Sequence, residues 1–162
     1  MALKLERLGL WRKRAGMKPG ETARILMVDD DVALLRVVRE AFTSSLRCEV
    51  DTSPRPEYGF ELALKKRYDL FIFDFQMPMI DGAMLFFLIG KVYNNLQPPR
   101  IVPPLLLVSG KADEDRAQEL LKEPGVRGLV AKPFSIKRLL EKAQDCVAAM
   151  EPIAPPDKTN NA

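Results

Sequence analysis

Six side chains capable of chemistry stand directly after short apolar runs in this sequence. Asp29, Asp30 and Asp31 follow Ile25-Leu26-Met27-Val28, Asp74 follows Leu70-Phe71-Ile72-Phe73, Ser109 follows Leu105-Leu106-Leu107-Val108, and Lys132 follows Gly128-Leu129-Val130-Ala131. Clustered carboxylates without a paired arginine repel one another and resist ionising unless a cation sits among them. Magnesium is the natural occupant, because it prefers oxygen ligands, keeps several waters and is often held by one or two carboxylates plus phosphate oxygens. A lysine and a hydroxyl beside such an ion suit a phosphoryl group, supplying a point charge and a hydrogen bond to its peripheral oxygens. Asp74, alone at the end of its apolar run, can act as the nucleophile, since carboxylates form acyl phosphates.

Taken singly, each of these residues has an ordinary explanation. Asp29 to Asp31 suit a helix N-terminus, where the macrodipole favours negative charge. Lys132 suits a solvated surface, Ser109 a turn, and Met77-Pro78 with Asp81-Gly82 a turn followed by a helix start. What selects the functional reading is their joint placement. In open parallel α/β sheets ligands bind beyond the carboxyl ends of the strands, so side chains far apart in sequence meet in one cleft.

That convergence requires the apolar runs to be parallel strands, and the rest of the pattern supplies the connecting helices. From Arg24 onward short apolar runs alternate with amphipathic stretches, the signature of βα units around a parallel sheet. A helix is predicted from about Val32 to Ser45, with Leu34, Leu35, Val37, Val38, Ala41 and Phe42 as a broad apolar face. Cys48 to Asp51 reads as a strand and Glu57 to Arg67 as a helix. Asp81-Gly82 opens a third helix to about Asn94 that is apolar on nearly every side, so it wants cover from two directions. Either the basic N-terminal arm or the C-terminal tail folds over it, or Phe86, Phe87 or Tyr93 belongs to a protein interface. Asp113 to Lys122 reads as a fourth helix, and Ser135 caps a fifth that reaches about Met150.

At 162 residues the chain has room for one substantial core and short appendages. The expected organisation is a basic arm over residues 1–22, a folded domain over 23–150, and a proline-rich tail over 151–162 expected to be disordered. Residues 1–24 carry seven basic and two acidic side chains, a sum of +5, whereas the remainder sums to −2, so the basic character belongs to the arm. Trp11, Arg12, Lys13 and Arg14 there suit either an anionic surface or a solvated extension. The absence of histidine excludes Ser-His-Asp and Cys-His catalysis, histidine metal sites and phosphohistidine carriage. Cys48 and Cys146 cannot build a disulfide framework. No uncharged run exceeds ten residues, too short to span a bilayer, and the N-terminus lacks the apolar core of a secretory signal, so a cytoplasmic location is the expectation.

The segments Ile25 to Asp31 (ILMVDDD) and Asp74 to Gly82 (DFQMPMIDG), with Ser109-Gly110 and Lys132-Pro133-Phe134, resemble the successive signatures of the response-regulator receiver domain of two-component signalling. The resemblance covers roughly residues 23–148, with the motifs in order. It implies a doubly wound five-stranded (βα)5 flavodoxin-like fold with strand order 2-1-3-4-5, and a partner histidine kinase or phosphotransfer protein that donates a phosphoryl group to Asp74. Asp29 and Asp30 then hold Mg²⁺ together with Asp74 and the backbone carbonyl of Gln76. Ser109 and Lys132 bind the phosphoryl oxygens, and the Lys132-Pro133 peptide is cis. Output passes to a downstream protein, with a homodimer a further option and no direct binding of nucleic acid.

Two places, Leu129 and Pro124-Gly125, depart from the family pattern. Leu129 stands where most receivers have an aromatic switch residue, which implies weaker coupling to the output face or another reporter. Pro124-Gly125 replaces a small turn beside the fourth helix and fifth strand. Gln76 and Lys111, two beyond the nucleophile and the hydroxyl, imply restricted water access and a moderately long-lived phosphate. Two other functions compete with a single-domain phosphoacceptor. One is a scaffold of receiver shape that is never phosphorylated. The other is a haloacid-dehalogenase-type phosphatase built on Asp29 and Asp31, which lacks the acidic pair that class needs after its lysine.

Overall fold

The computed structural model describes residues 21–110, 114–147, 150, 152 and 153. Strands β1 (Ala23–Val28), β2 (Cys48–Ser53), β3 (Leu70–Asp74), β4 (Leu105–Ser109) and β5 (Val126–Ala131) alternate with helices α1 (Val32–Ser45), α2 (Pro56–Lys65), α3 (Gly82–Asn95), α4 (Glu114–Leu120) and α5 (Ile136–Cys146). All strand pairs are parallel and the order across the sheet is β2-β1-β3-β4-β5, as the resemblance implies. The direction of winding reverses between β1 and β3, so their carboxyl ends open a crevice.

The central strands carry unbroken apolar runs, Ile25 to Val28, Leu70 to Phe73 and Leu105 to Val108, because both faces of the sheet are covered. Leu26 and Val28, Phe71 and Phe73, and Leu105 and Leu107 point towards α2, α3 and α4. Ile25 and Met27, Leu70 and Ile72, and Leu106 and Val108 point towards α1 and α5. Because all the strands run parallel, each one's last residue reaches the same rim of the sheet.

Several boundaries and faces differ from the sequence reading. In α1 the buried stripe is Leu35, Val38 and Phe42, whereas Val37 is 51% exposed because it lies off that stripe. Strand β5 starts two residues earlier than the apolar run suggests, and α5 ends at Cys146. In α3, Phe86 and Tyr93 are buried rather than available to a partner. Phe86 lies against Gly125, where an added Cβ would come within 2.9 Å of its ring and where φ is +92°, so the Pro124-Gly125 turn is shaped around that aromatic. The Tyr93 hydroxyl donates to the Ala63 carbonyl at 2.5 Å, and the Arg100 guanidinium lies over its ring. Of the three aromatic residues expected at an interface only Phe87 faces out.

Residues 1–20 of the basic arm, Lys111 and residues 154–162 of the tail lie outside the described residues. Pro152 forms an antiparallel bridge with Leu46, and the Ile153 N–H donates to the Ser45 carbonyl, so these tail residues sit on the α1 side of the sheet and do not cover α3.

Candidate functional site

Each strand-end side chain reaches the crevice through local structure that the sequence dictates. Asp29 directly follows β1 and is fully buried, its N–H donating to the Ser53 carbonyl at 3.2 Å. Asp31 turns away as the cap of α1, its Oδ1 accepting from the Leu34 N–H at 3.0 Å, while its own N–H donates to Asp29 Oδ1 at 2.8 Å. Asp30 between them is exposed. The aspartate run thus serves both explanations at once: one carboxylate caps the helix and two face the crevice. With Asp31 spent on the cap, the paired Asp-x-Asp of a phosphatase is not assembled.

Asp74 ends β3 and is 4% exposed. Its neighbour Phe75 is held by two backbone bonds, donating to Val108 and accepting from Gly82. Gly82 is required by close approach, because a Cβ there would lie 2.3 Å from the Asp74 carbonyl oxygen. Asp81 caps α3 by accepting from the Met84 N–H at 2.7 Å. The Asp-Gly pair that opens α3 therefore seats the helix directly on the backbone of Asp74, a contact that spacing alone does not reveal. Gln76 sits in the loop just beyond, with its side chain exposed.

Ser109 ends β4 and is buried, and its carbonyl accepts from the Lys132 N–H at 2.7 Å, which fixes the start of the Lys132 segment beside it. The Lys132-Pro133 peptide is cis. Lys132 Nζ donates to Asp29 Oδ2 at 2.8 Å and lies 3.4 Å from Asp74 Oδ1, joining residues 103 apart in sequence. Leu129 is half-buried and packs into the α2–α4 side of the core.

One carboxylate oxygen each from Asp29, Asp30 and Asp74 lie within 4.8 Å of one another. Burial, and then the charge of Asp29, push the Asp74 carboxyl up to about 6, with Lys132 only partly offsetting them. Lys132 itself is held above its usual value: burial lowers it, but the hydrogen bond and charge of Asp29 and the charge of Asp74 more than compensate. One lysine among three carboxylates leaves uncompensated negative charge on hard oxygen donors, so the donor set fits a divalent cation such as Mg²⁺.

Sequence reasoning passed over Arg116. Its guanidinium lies 5.2 Å from the centroid of the Phe75 ring and 3.2 Å from Asp81 Oδ2, tying α4 to the residue after Asp74 and to the cap of α3. Nothing local marks it, because both contacts are made across the fold.

A doubly wound sheet whose carboxyl edge gathers three aspartates, a serine and a lysine defines a flavodoxin-like domain with an acidic, cation-ready crevice. The sequence matches the family model of the response regulator receiver domain over residues 25–144, and the chain belongs to that family. Among curated proteins it is 29% identical over 119 residues to the transcriptional regulatory protein RprY of Bacteroides fragilis, covering 74% of this chain and 47% of that protein. It is 30% identical over 122 residues to the response regulator protein FleR of Pseudomonas aeruginosa, covering 74% of this chain and 23% of that one. The chain thus spans about half or less of the length of these relatives. Among solved structures, the receiver domain protein of Methanospirillum hungatei superposes with a TM-score of 0.63 at 24% identity, covering 77% of this chain and 93% of its own. The chemotaxis protein CheY4 of Vibrio cholerae does so with 0.65 at 23%, covering 78% and 100%. These likenesses establish the fold. No helix among the described residues is long and apolar enough to cross a membrane.

Proposed function

We propose that this chain is a phosphoacceptor switch, taking a phosphoryl group on Asp74 from the phosphohistidine of a kinase or phosphotransfer protein. A carboxylate oxygen of Asp74 attacks phosphorus, and the phosphorus–nitrogen bond to the donor imidazole breaks with its electron pair leaving on nitrogen, which takes up a proton. Asp29, Asp30, Asp74 and the Gln76 carbonyl are the residues that would hold Mg²⁺. When bound, the ion supplies positive charge against the phosphoryl oxygens and the developing acyl phosphate.

The chain's own groups do the rest. Lys132 already bridges Asp29 and Asp74, so its ammonium needs only a small movement to meet a phosphoryl oxygen on Asp74. The Ser109 hydroxyl, buried at the neighbouring strand end, is the donor for a second oxygen. Gln76 and Lys111, two beyond the nucleophile and the hydroxyl in the sequence, are the residues that set the lifetime of the acyl phosphate. The modification is read by a downstream protein, with Leu129 as the aliphatic reporter of the position of Ser109. In this reading the chain works as a single-domain regulator in the cytoplasm, and it hydrolyses only its own acyl phosphate.

One observation carries the proposal: Lys132 Nζ meets Asp29 and Asp74 at 2.8 and 3.4 Å within a cluster of three carboxylates, although the three residues come from three different strand ends. The test is saturable binding of beryllofluoride, a phosphoryl mimic, in the presence of Mg²⁺, paired with intact-mass measurement after incubation with acetyl phosphate. Binding and a gain of one phosphoryl mass, both lost in Asp74→Asn, are expected. If Mg²⁺ binds but neither signal appears, the acidic site is a relic in a scaffold that acts without phosphorylation.

A further inference from the structure

Helix α3 is apolar on two sides, and only one of them is spent on the core. Ala83, Leu85, Phe86, Ile89 and Tyr93 are buried. Met84, Phe87 and Leu88 are 48, 43 and 41% exposed, and at spacings of three and four residues they form one ridge along the outer face. Beside the ridge, between α2 and α3, runs a groove of about 640 Å³ floored by Phe60, Ile80, Val92 and Leu96, with Leu88 on the shared wall. A continuous apolar surface of this kind marks an interaction site on a globular domain, whereas scattered apolar residues would not.

We propose that this face is an interface between two copies of the chain, related by a two-fold axis. An isologous contact needs a surface complementary to itself, so that residue i meets j while j meets i. A ridge lying alongside a groove satisfies the requirement of shape: the ridge of each copy fills the groove of the other. The charges satisfy it as well. Glu57, in the first turn of α2, and Lys91, further along α3, are the only charged residues lining the groove among the described residues. Neither has a charged partner among the described residues. A two-fold axis that sets the helices antiparallel places Glu57 of each copy against Lys91 of the other. The chain's own arm is a poorer occupant, because Lys4, Arg7, Arg12, Lys13 and Arg14 bring strong positive charge to a rim whose two charges cancel. The contact lies outside the phosphoryl crevice and does not rest on the phosphoacceptor reading.

Sedimentation velocity on the unphosphorylated full chain, from low to high micromolar concentration, tests it. A reversible dimer is expected, weakened at least about tenfold by Phe87→Glu, the change expected at the centre of such an interface. Leu88→Gln, a milder change, is expected to weaken it in the same direction should the first variant fold poorly, as checked by circular dichroism. Glu57→Lys and Lys91→Glu each weaken the dimer severalfold, and the two together restore it. A chain that stays monomeric throughout overturns the proposal, and so does a dimer indifferent to all of these changes. If the full chain is monomeric and removal of residues 1–20 makes it dimerise, the arm is the occupant and the proposal likewise fails.

Discussion

Replacing Asp74 by asparagine is expected to stabilise the metal-free protein, by an amount that grows with pH. The carboxyl is 4% exposed and is pushed from 3.8 to about 6 by burial and by the charge of Asp29. The folded state therefore binds the Asp74 proton more tightly than the unfolded chain does, and stability contributed by the protonated form is lost as pH rises through the folded value. Below pH 3.8 the two states are protonated alike and the side chain costs nothing as a charge. Linkage over the interval gives a penalty of about 1 kcal/mol at pH 4.5 and about 3 kcal/mol at pH 7.5. Asparagine keeps the shape without the charge and removes that penalty, while the Lys132–Asp29 pair at 2.8 Å remains. Urea denaturation of both proteins in EDTA from pH 4.5 to 8 measures the difference. The stability gap widens by about 2 kcal/mol across that range, and added Mg²⁺ shrinks it by stabilising the wild type more than the variant. A gap that is flat with pH, or a variant less stable than wild type at neutral pH, refutes the electrostatic account of the site.

Three further outcomes follow from the same geometry. Lys132→Met leaves Asp29 and Asp74 without their cation and costs about 1–3 kcal/mol in EDTA at pH 7.5, most of it recovered with Mg²⁺, as urea melts with and without the ion will read. Gly82→Ala drives a Cβ towards the Asp74 carbonyl, where backbone cannot yield cheaply, and lowers stability by about 2–3 kcal/mol in the same assay while weakening beryllofluoride binding. Cys48 and Cys146 are both pushed up to about 11 by burial, so a disulfide reagent at pH 8 reacts slowly with the native protein and rapidly in urea. Fast labelling of both thiols under native conditions would contradict the burial assigned to them.

The sheet was legible because each apolar run ends in a polar residue, a pattern that only a strand reaching a rim produces four times over. Strand β3 shows this most clearly, four consecutive apolar residues and then Asp74. The crevice was legible for the same reason, since Asp29, Asp74, Ser109 and Lys132 each needed only their own strand's end to be located. What escaped depends on contacts between elements. The composition of α3 could not say which apolar residues face in, and the answer hangs on Gly125, which admits Phe86, and on Ala63, which receives the Tyr93 hydroxyl. The aspartate run could not show that Asp31 is the helix cap while Asp29 and Asp30 face the crevice. Arg116 was invisible because Asp81, its ionic partner, is 35 residues away and Phe75 is no closer in sequence.

The central claim is that Asp74 itself carries the phosphoryl group. Acetyl phosphate labelling in Mg²⁺ followed by borohydride reduction converts an aspartyl phosphate to homoserine, and peptide mass mapping then locates it. Homoserine at position 74, present in the wild type and absent without Mg²⁺, is the result the account predicts. Homoserine at position 29 or 30, or none at all from a protein that binds Mg²⁺ at the crevice, would contradict it.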